Sequence, residues 1–177
     1  MSEEDILRSE LRWGGIALAA LLVMLAIIIF SAIAFAVHPP SNVETIDPAT
    51  LHLKGEFIES NLGTTVADNG AVTVRIVATQ FAFIPQCAPV PAGQRVTLRM
   101  AAPDVVHGIL VTGTNVNTMV VPGFVSQVRT VFTELGDHLM PCHEYCGLGH
   151  SEMWGTIRVL PQAEWPQQPG KVSCAAR

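Results

Sequence analysis

The sequence predicts an all-β sandwich or Greek-key barrel preceded by a single membrane-spanning helix. Three observations carry that prediction. An uncharged run of 25 residues, Trp13 to Val37, comes first. From Ala71 onward the apolar period is two, the mark of strands with one buried face. Glycine and proline then break the chain at about ten-residue spacing as far as Leu160, enough for roughly six to eight short strands.

Taken in order, residues 1–12 form a charged, helix-compatible cytoplasmic segment. Ser2 stands as a cap before Glu3, Glu4 and Asp5, acids placed where a first helical turn favours them. Ile6, Leu7 and Leu11 continue an apolar face into residues 13–37, the transmembrane helix. A helix of that length reaches about 37 Å, against a hydrocarbon core of about 30 Å. His38-Pro39-Pro40 ends it, because proline cannot continue a helix. A cleavable signal peptide is the competing reading, since Ala32-Ile33-Ala34 has a small-residue cleavage pattern. Four acids against two arginines in Met1–Arg12, and a run longer than a signal's apolar region, favour a retained anchor. Arg8 and Arg12 precede the span, and no Lys or Arg lies between Val37 and Lys54. That bias predicts a cytoplasmic N-terminus, with the rest of the chain on the periplasmic side of the inner membrane.

Residues 38–70 read as a linker with weak periodicity, closing on the turn Asp68-Asn69-Gly70. Residues 71–160 hold the strands. Val72, Val74, Ile76 and Ala78 alternate with Thr73, Arg75 and Val77, and Phe81 and Phe83 continue in a second run sharing one face. Further strands follow around Val96–Met100, Ile109–Val111, Val125–Val131 and Gly155–Leu160. Residues 161–177 read as a polar C-terminal tail without a core of its own. From Glu44 onward eleven acids face eight bases, a small excess compatible with steering a basic donor or with a plain solvated surface. No basic run points to nucleic acid.

The chemistry is concentrated in Pro141-Cys142-His143-Glu144-Tyr145-Cys146-Gly147-Leu148-Gly149-His150-Ser151-Glu152-Met153-Trp154. Cys142, Cys146, His150 and Met153 fall at spacings of four, four and three residues, suited to a tight loop converging on one point. Thiolate, thioether and imidazole together select copper, and zinc has little use for a methionine. One cysteine would suggest a mononuclear blue-copper site. Two can each bridge a pair of copper ions, and then a second imidazole is needed; His107 in Asp104-Val105-Val106-His107-Gly108 offers one, 35 residues earlier. A disulfide between Cys142 and Cys146 is the alternative, and it leaves His107, His150 and Met153 unexplained.

Cys-x-x-x-Cys-x-x-x-His-x-x-Met preceded by Asp-Val-Val-His resembles the CuA loop of subunit II of heme-copper oxidases, over about residues 71–160. Pro103–Gly108, Gly113–Asn117 and Tyr145–His150 are most similar to the B-type branch. The resemblance implies a cupredoxin fold with the copper loop between the last two strands. It implies a dinuclear CuA centre bridged by Cys142 and Cys146, with terminal His107 and His150, and with Met153 and the Glu144 carbonyl as weak ligands. It further implies electron uptake from cytochrome c or a small copper protein and delivery to heme in subunit I, where oxygen is reduced to water. Phe81 and Phe83 occupy the region where electrons enter A-type subunits. Trp154 reads either as packing around the copper or as an exposed contact. Glu10, followed by Leu11-Arg12-Trp13, is similar to an acid at the cytoplasmic mouth of a proton path. Glu144 stands where A-type oxidases use a glutamate to help bind magnesium at the subunit interface. Asp104 and Glu152 are neighbours in sequence suited to orienting the imidazoles, and His143 has no evident role. A nitric oxide reductase can share this domain, and the large subunit's sequence decides between them. Nitrous oxide reductase carries the loop on a large chain, and a membrane-tethered copper carrier would expose exchangeable ligands. The spare thiols, Cys87 in a Pro-rich turn read over Pro85–Gly93 and Cys174 near the end of the tail, are expected to form a disulfide that holds the tail to the barrel.

Overall fold

The computed structural model describes residues 2–35, 44–166 and 168–174. The chain divides into two compact units, residues 1–41 and 42–177.

The first unit is helix α1, Glu3–Phe35. Its 33 residues make a rod of about 50 Å, so the charged start and the apolar run are one continuous helix. It is long and apolar enough to cross a membrane. The expected stop at His38–Pro40 lies outside the described residues.

The second unit holds β1 (Gly63–Val66), β2 (Val72–Thr79), β3 (Ala82–Ile84), β4 (Cys87–Pro91), β5 (Arg95–Ala101), β6 (His107–Leu110), β7 (Asn117–Val120), β8 (Ser126–Val131), β9 (Gly136–Pro141), β10 (Trp154–Leu160) and β11 (Gly170–Val172). One sheet runs β11-β1-β2-β5-β8, with β3 also on β2; a second runs β4-β10-β9; β6 and β7 form a ribbon. The ribbon joins the second sheet through a bridge between Ile109 and Cys142. β2 lies parallel to β5 and β4 parallel to β10, and the remaining strand pairs are antiparallel. The alternation read in the sequence is what fills the space between the sheets. Val72, Val74, Ile76 and Ala78 lie beside Val96, Leu98 and Met100 of the neighbouring strand β5, and pack in one buried core with Ala88, Val90, Met140, Ile157 and Val159 of the second sheet. Thr64 is buried among them and donates its hydroxyl to the Pro89 carbonyl at 2.7 Å, tying β1 to β4.

Three expectations change. Residues 44–70 are not a plain linker: Leu51, Phe57 and Leu62 are buried against Val77, Ala101 and Val125 in a second, smaller core. Glu56 pins this strap, accepting from Arg99 Nε and Nη2 at 2.7 and 2.6 Å and from Arg75 Nε at 2.9 Å. Arg99 also reaches Glu44 and Gln127. The Pro-rich stretch before Gly93 is strand β4 rather than a turn. Among the described residues it is an edge strand, paired with β10, where Pro89 and Pro91 need give no ladder hydrogen bond on the open side. Parts of the tail are also packed: Trp165 enters the main core and β11 pairs with β1, so the loop that carries Cys142 and Cys146 joins the ninth and tenth of the eleven strands among the described residues.

Candidate metal centre

His107 opens β6 with its side chain fully buried. A buried imidazole needs a partner, and Asp104 supplies one three residues earlier. The His107 Nε2 donates to Asp104 Oδ1 at 2.9 Å. A carboxylate accepts only, so that nitrogen carries the proton and Nδ1 keeps its lone pair, aimed at the Cys142 sulfur 3.9 Å away. Asp104 is a hub. Its Oδ1 also accepts from Val105 N, and its Oδ2 accepts from Thr79 Oγ1 at 2.8 Å and Gln80 N at 2.7 Å.

The other donors ride on the β9–β10 loop. Cys142 N donates to the Met153 carbonyl at 3.1 Å, which closes the loop across its base. A 3₁₀ turn, His150–Glu152, presents His150 and Met153 on its two sides. The Trp154 indole donates to the Ser151 carbonyl at 2.7 Å and braces that turn. Cys146 Sγ is the junction: it lies 3.9 Å from Cys142 Sγ, 3.5 Å from His150 Nδ1 and 3.7 Å from Met153 Sδ. Cys142 Sγ is 3.3 Å from the Glu144 carbonyl. His107, Cys142 and Cys146 thus offer three ligand atoms within 4.8 Å of one another, all three residues buried. Gly147 and Gly149 are both required by contact, and Gly147 also by its backbone conformation. A Cβ at Gly149 would meet the Phe81 ring at 2.6 Å, and one at Gly147, whose φ is +132°, would meet it at 2.9 Å.

The electrostatics follow the packing. Burial pushes the Asp104 carboxyl up, but hydrogen bonds from His107, Gln80, Val105 and Thr79 outweigh it and hold the group below its usual range. Burial, with the neighbouring Cys142 adding to it, pushes the Cys146 thiol up to about 11. A soft cation that displaces the thiol protons relieves both effects. Two thiols, two imidazole nitrogens, a thioether and a carbonyl form a donor set suited to copper.

The structure brings His107, Cys142, Glu144, Cys146, His150 and Met153 together. The two phenylalanines part company. Phe81 stands in the turn before β3 and remains 38% exposed over the loop, whereas Phe83 is 1% exposed in the core and offers no surface for electron uptake. They do not share a face because the alternation begins only at Ala82. Trp154 combines both readings, bracing the turn while 42% exposed. Glu152 is exposed and touches Ser151 rather than an imidazole. The His143 ring lies over Gly108, where a Cβ would meet it at 2.5 Å. Cys87 and Cys174 form a disulfide, Cα–Cα 6.1 Å, that anchors the tail. Thr79 and Gln80 carried no signal in the sequence, because their bonds to Asp104 span 25 and 24 residues.

The family model described as cytochrome c oxidase subunit II, periplasmic domain, matches residues 72–160. A cytochrome c oxidase subunit 2 from Thermus thermophilus is 36% identical over 160 residues, covering 89% of this chain and 95% of the relative. This chain belongs to the cytochrome c oxidase subunit II family. Another Thermus thermophilus subunit 2 is 37% identical over 123 residues, 70% of this chain and 91% of that one. A cryo-EM structure of a heme-copper terminal oxidase dimer is similar at 25% identity, covering 86% of this chain and 99% of the matched one, with a TM-score of 0.64. As a subunit II, the chain combines a cupredoxin-like β-domain with one apolar helix and is an electron-transfer part of an oxidoreductase complex. The family implies a CuA copper centre, and the His/Cys/Cys cluster is where it fits.

Proposed function

We propose that the chain accepts single electrons from a cytochrome c or a small copper protein at a dinuclear CuA centre. It passes them to heme in subunit I of a B-type oxidase that reduces oxygen to water. The convergence of three side-chain donor atoms, His107 Nδ1, His150 Nδ1 and Met153 Sδ, on the neighbouring sulfurs of Cys142 and Cys146 carries this reading, with the His107 tautomer already set by Asp104. Cys142 and Cys146 would hold the centre as its shared thiolates, His107 and His150 would each supply an imidazole, and Met153 Sδ and the Glu144 carbonyl would be its weak ligands. A copper centre held there would supply one-electron transfer with little change in its bonds.

The protein's own part is to hold that geometry. His107 sits on one strand and the rest on a loop closed at its base, which resists relaxation when charge moves. Both cysteines must lose their protons to ligate, so loading releases protons and weakens as pH falls. Phe81 and Trp154, each partly exposed beside the loop, give a donor an apolar surface. The half-buried Glu144 carboxylate offers a hard oxygen donor to a magnesium ion shared with subunit I. Helix α1 anchors the subunit in the cytoplasmic membrane, N-terminus inside, β-domain on the periplasmic side, with Glu10 at the mouth of a proton path. Similarity to the heme-copper terminal oxidase dimer supports a heme-bearing partner.

Copper titration of the full chain in detergent tests the reading. Two coppers per chain and a seven-line hyperfine pattern are expected, and both are lost in Cys142→Ser and Cys146→Ser. One copper per chain, or a four-line pattern, overturns the dinuclear assignment.

A further inference from the structure

Three consecutive residues at the β2–β3 turn all act on the candidate centre. Thr79 Oγ1 donates to Asp104. Phe81 lays its ring on Gly147 and Gly149. Gln80 does both kinds of work: its backbone N–H donates to Asp104 Oδ2, and its side-chain amide donates to the carbonyl of Cys146, 66 residues away. Gln80 is an exposed residue, so burial gives it no reason to keep one rotamer. The Cys146 carbonyl lies in a loop outside any strand, where no ladder supplies the donor a backbone oxygen requires.

We propose that Gln80 is a positioning residue for the copper loop, locking the backbone of Cys146 to the same Asp104 carboxylate that orients His107. The consequence is geometric. Cys146 Sγ is the atom from which Cys142 Sγ, His150 Nδ1 and Met153 Sδ are all within 3.9 Å. A shift of the Cys146 backbone therefore changes every one of those spacings at once. His107 arrives from β6 on a different stretch of chain, and its distance to the loop has to be set independently. The chain Cys146 carbonyl, Gln80, Asp104, His107 sets it through three hydrogen bonds without passing through any ligand atom. The inference deepens the CuA reading and rests on it for its functional meaning, though not for its geometry.

The test uses the full chain in detergent, first metal-free and then copper-loaded. Gln80→Met keeps the length and removes the donor. Gln94→Met is the control, since the Gln94 amide donates to the Gly70 carbonyl far from the loop. In the metal-free chain, Gln80→Met should speed hydrogen exchange across residues 143–150 by about three- to tenfold, the worth of one net hydrogen bond, and leave the rest of the β-domain unchanged. After loading, its copper hyperfine splittings should differ from those of the parent chain, while Gln94→Met matches the parent in both measurements. Loop exchange within about twofold of the parent overturns the proposal, as does a uniform rise throughout the domain. Raised loop exchange with parental splittings overturns it too, since Gln80 would then hold the loop without positioning the ligands. If the parent chain takes one copper with a four-line pattern, the CuA reading fails. The metal-free exchange result still decides whether Gln80 locks Cys146.

Discussion

Replacing Asp104 by asparagine measures how much of the centre depends on a single carboxylate. Oδ1 accepts from Val105 N and His107 Nε2, and Oδ2 from Thr79 Oγ1 and Gln80 N. Asparagine preserves the shape but turns one oxygen into an NH2. Whichever way the amide rotates, that NH2 confronts a backbone N–H, of Val105 or of Gln80. One orphaned donor costs about 1–3 kcal/mol, and the remaining bonds lose the strengthening that a charged acceptor gives. The Asp104 side chain keeps 24% of its surface exposed, so water recovers part of this. The expected net cost is about 2 kcal/mol. For a domain of this size that lowers the melting temperature of the metal-free chain by about 6–8 °C. Loosening the partner of a ligating imidazole should also weaken copper binding by about 10–100-fold. Calorimetry of the metal-free chain and chelator competition of the loaded one read the two effects separately. Melting within about 1 °C of the parent would show that Asp104 does not organise the turn. Affinity within about twofold would show that it does not hold His107.

Phe57→Ala should destabilise the metal-free chain by about 3–5 kcal/mol in a denaturant titration, because Phe57 is fully buried in the strap's own core; a loss under about 1 kcal/mol would return residues 44–62 to the status of a linker. Burial raises the Glu56 carboxyl, but Arg99 and then Arg75 more than offset it, so the folded-state value is lowered. Its stabilisation is therefore present above the ordinary carboxylate range and is lost as pH falls through the folded value, and Asp104 acts in the same sense. Glu56→Gln should cost about 1 kcal/mol at neutral pH and flatten the acid limb of the stability–pH curve; an unchanged limb would refute the assignment. Met153→Leu should retain two coppers and shift the reduction potential, since a weak ligand tunes more than it holds; loss of all copper on dialysis would reverse that ranking.

The candidate ligand residues were legible as a cluster because the chemistry they suit demands rare side chains close together. Cys142, Cys146, His150 and Met153 fall within twelve residues, and few folds need such a set for packing alone. β2 and β5 were legible because the space between two sheets enforces alternation on Val72–Ala78 and Val96–Met100. The strap was not. Leu51, Phe57 and Leu62 sit in short 3₁₀ and turn segments, where burial follows no fixed period. β11 and Trp165 were hidden for a related reason: a three-residue strand with one buried indole nearby leaves no pattern to count. Phe81 and Phe83 misled because spacing two implies a shared face only inside a strand. The Asp104 network was half visible, since its His107 bond is local, whereas Thr79 and Gln80 arrive from across the domain.

The order of the strands also sets a timetable for the centre. Five of the six candidate ligands lie after residue 141. The strand that completes their loop, β10, pairs with β9 just before it and with β4 some way back, Thr156 against Cys87. Such non-local pairing forms late and slowly. A chain emerging N-terminus first therefore displays His107 well before either thiol of the loop exists, and Cys87 well before Cys174. Cys142 and Cys146 then emerge while Cys87 still lacks its partner. During biosynthesis there is thus an interval in which three thiols compete for wrong pairings, and it closes only when β11 reaches β1 and brings Cys174 alongside Cys87.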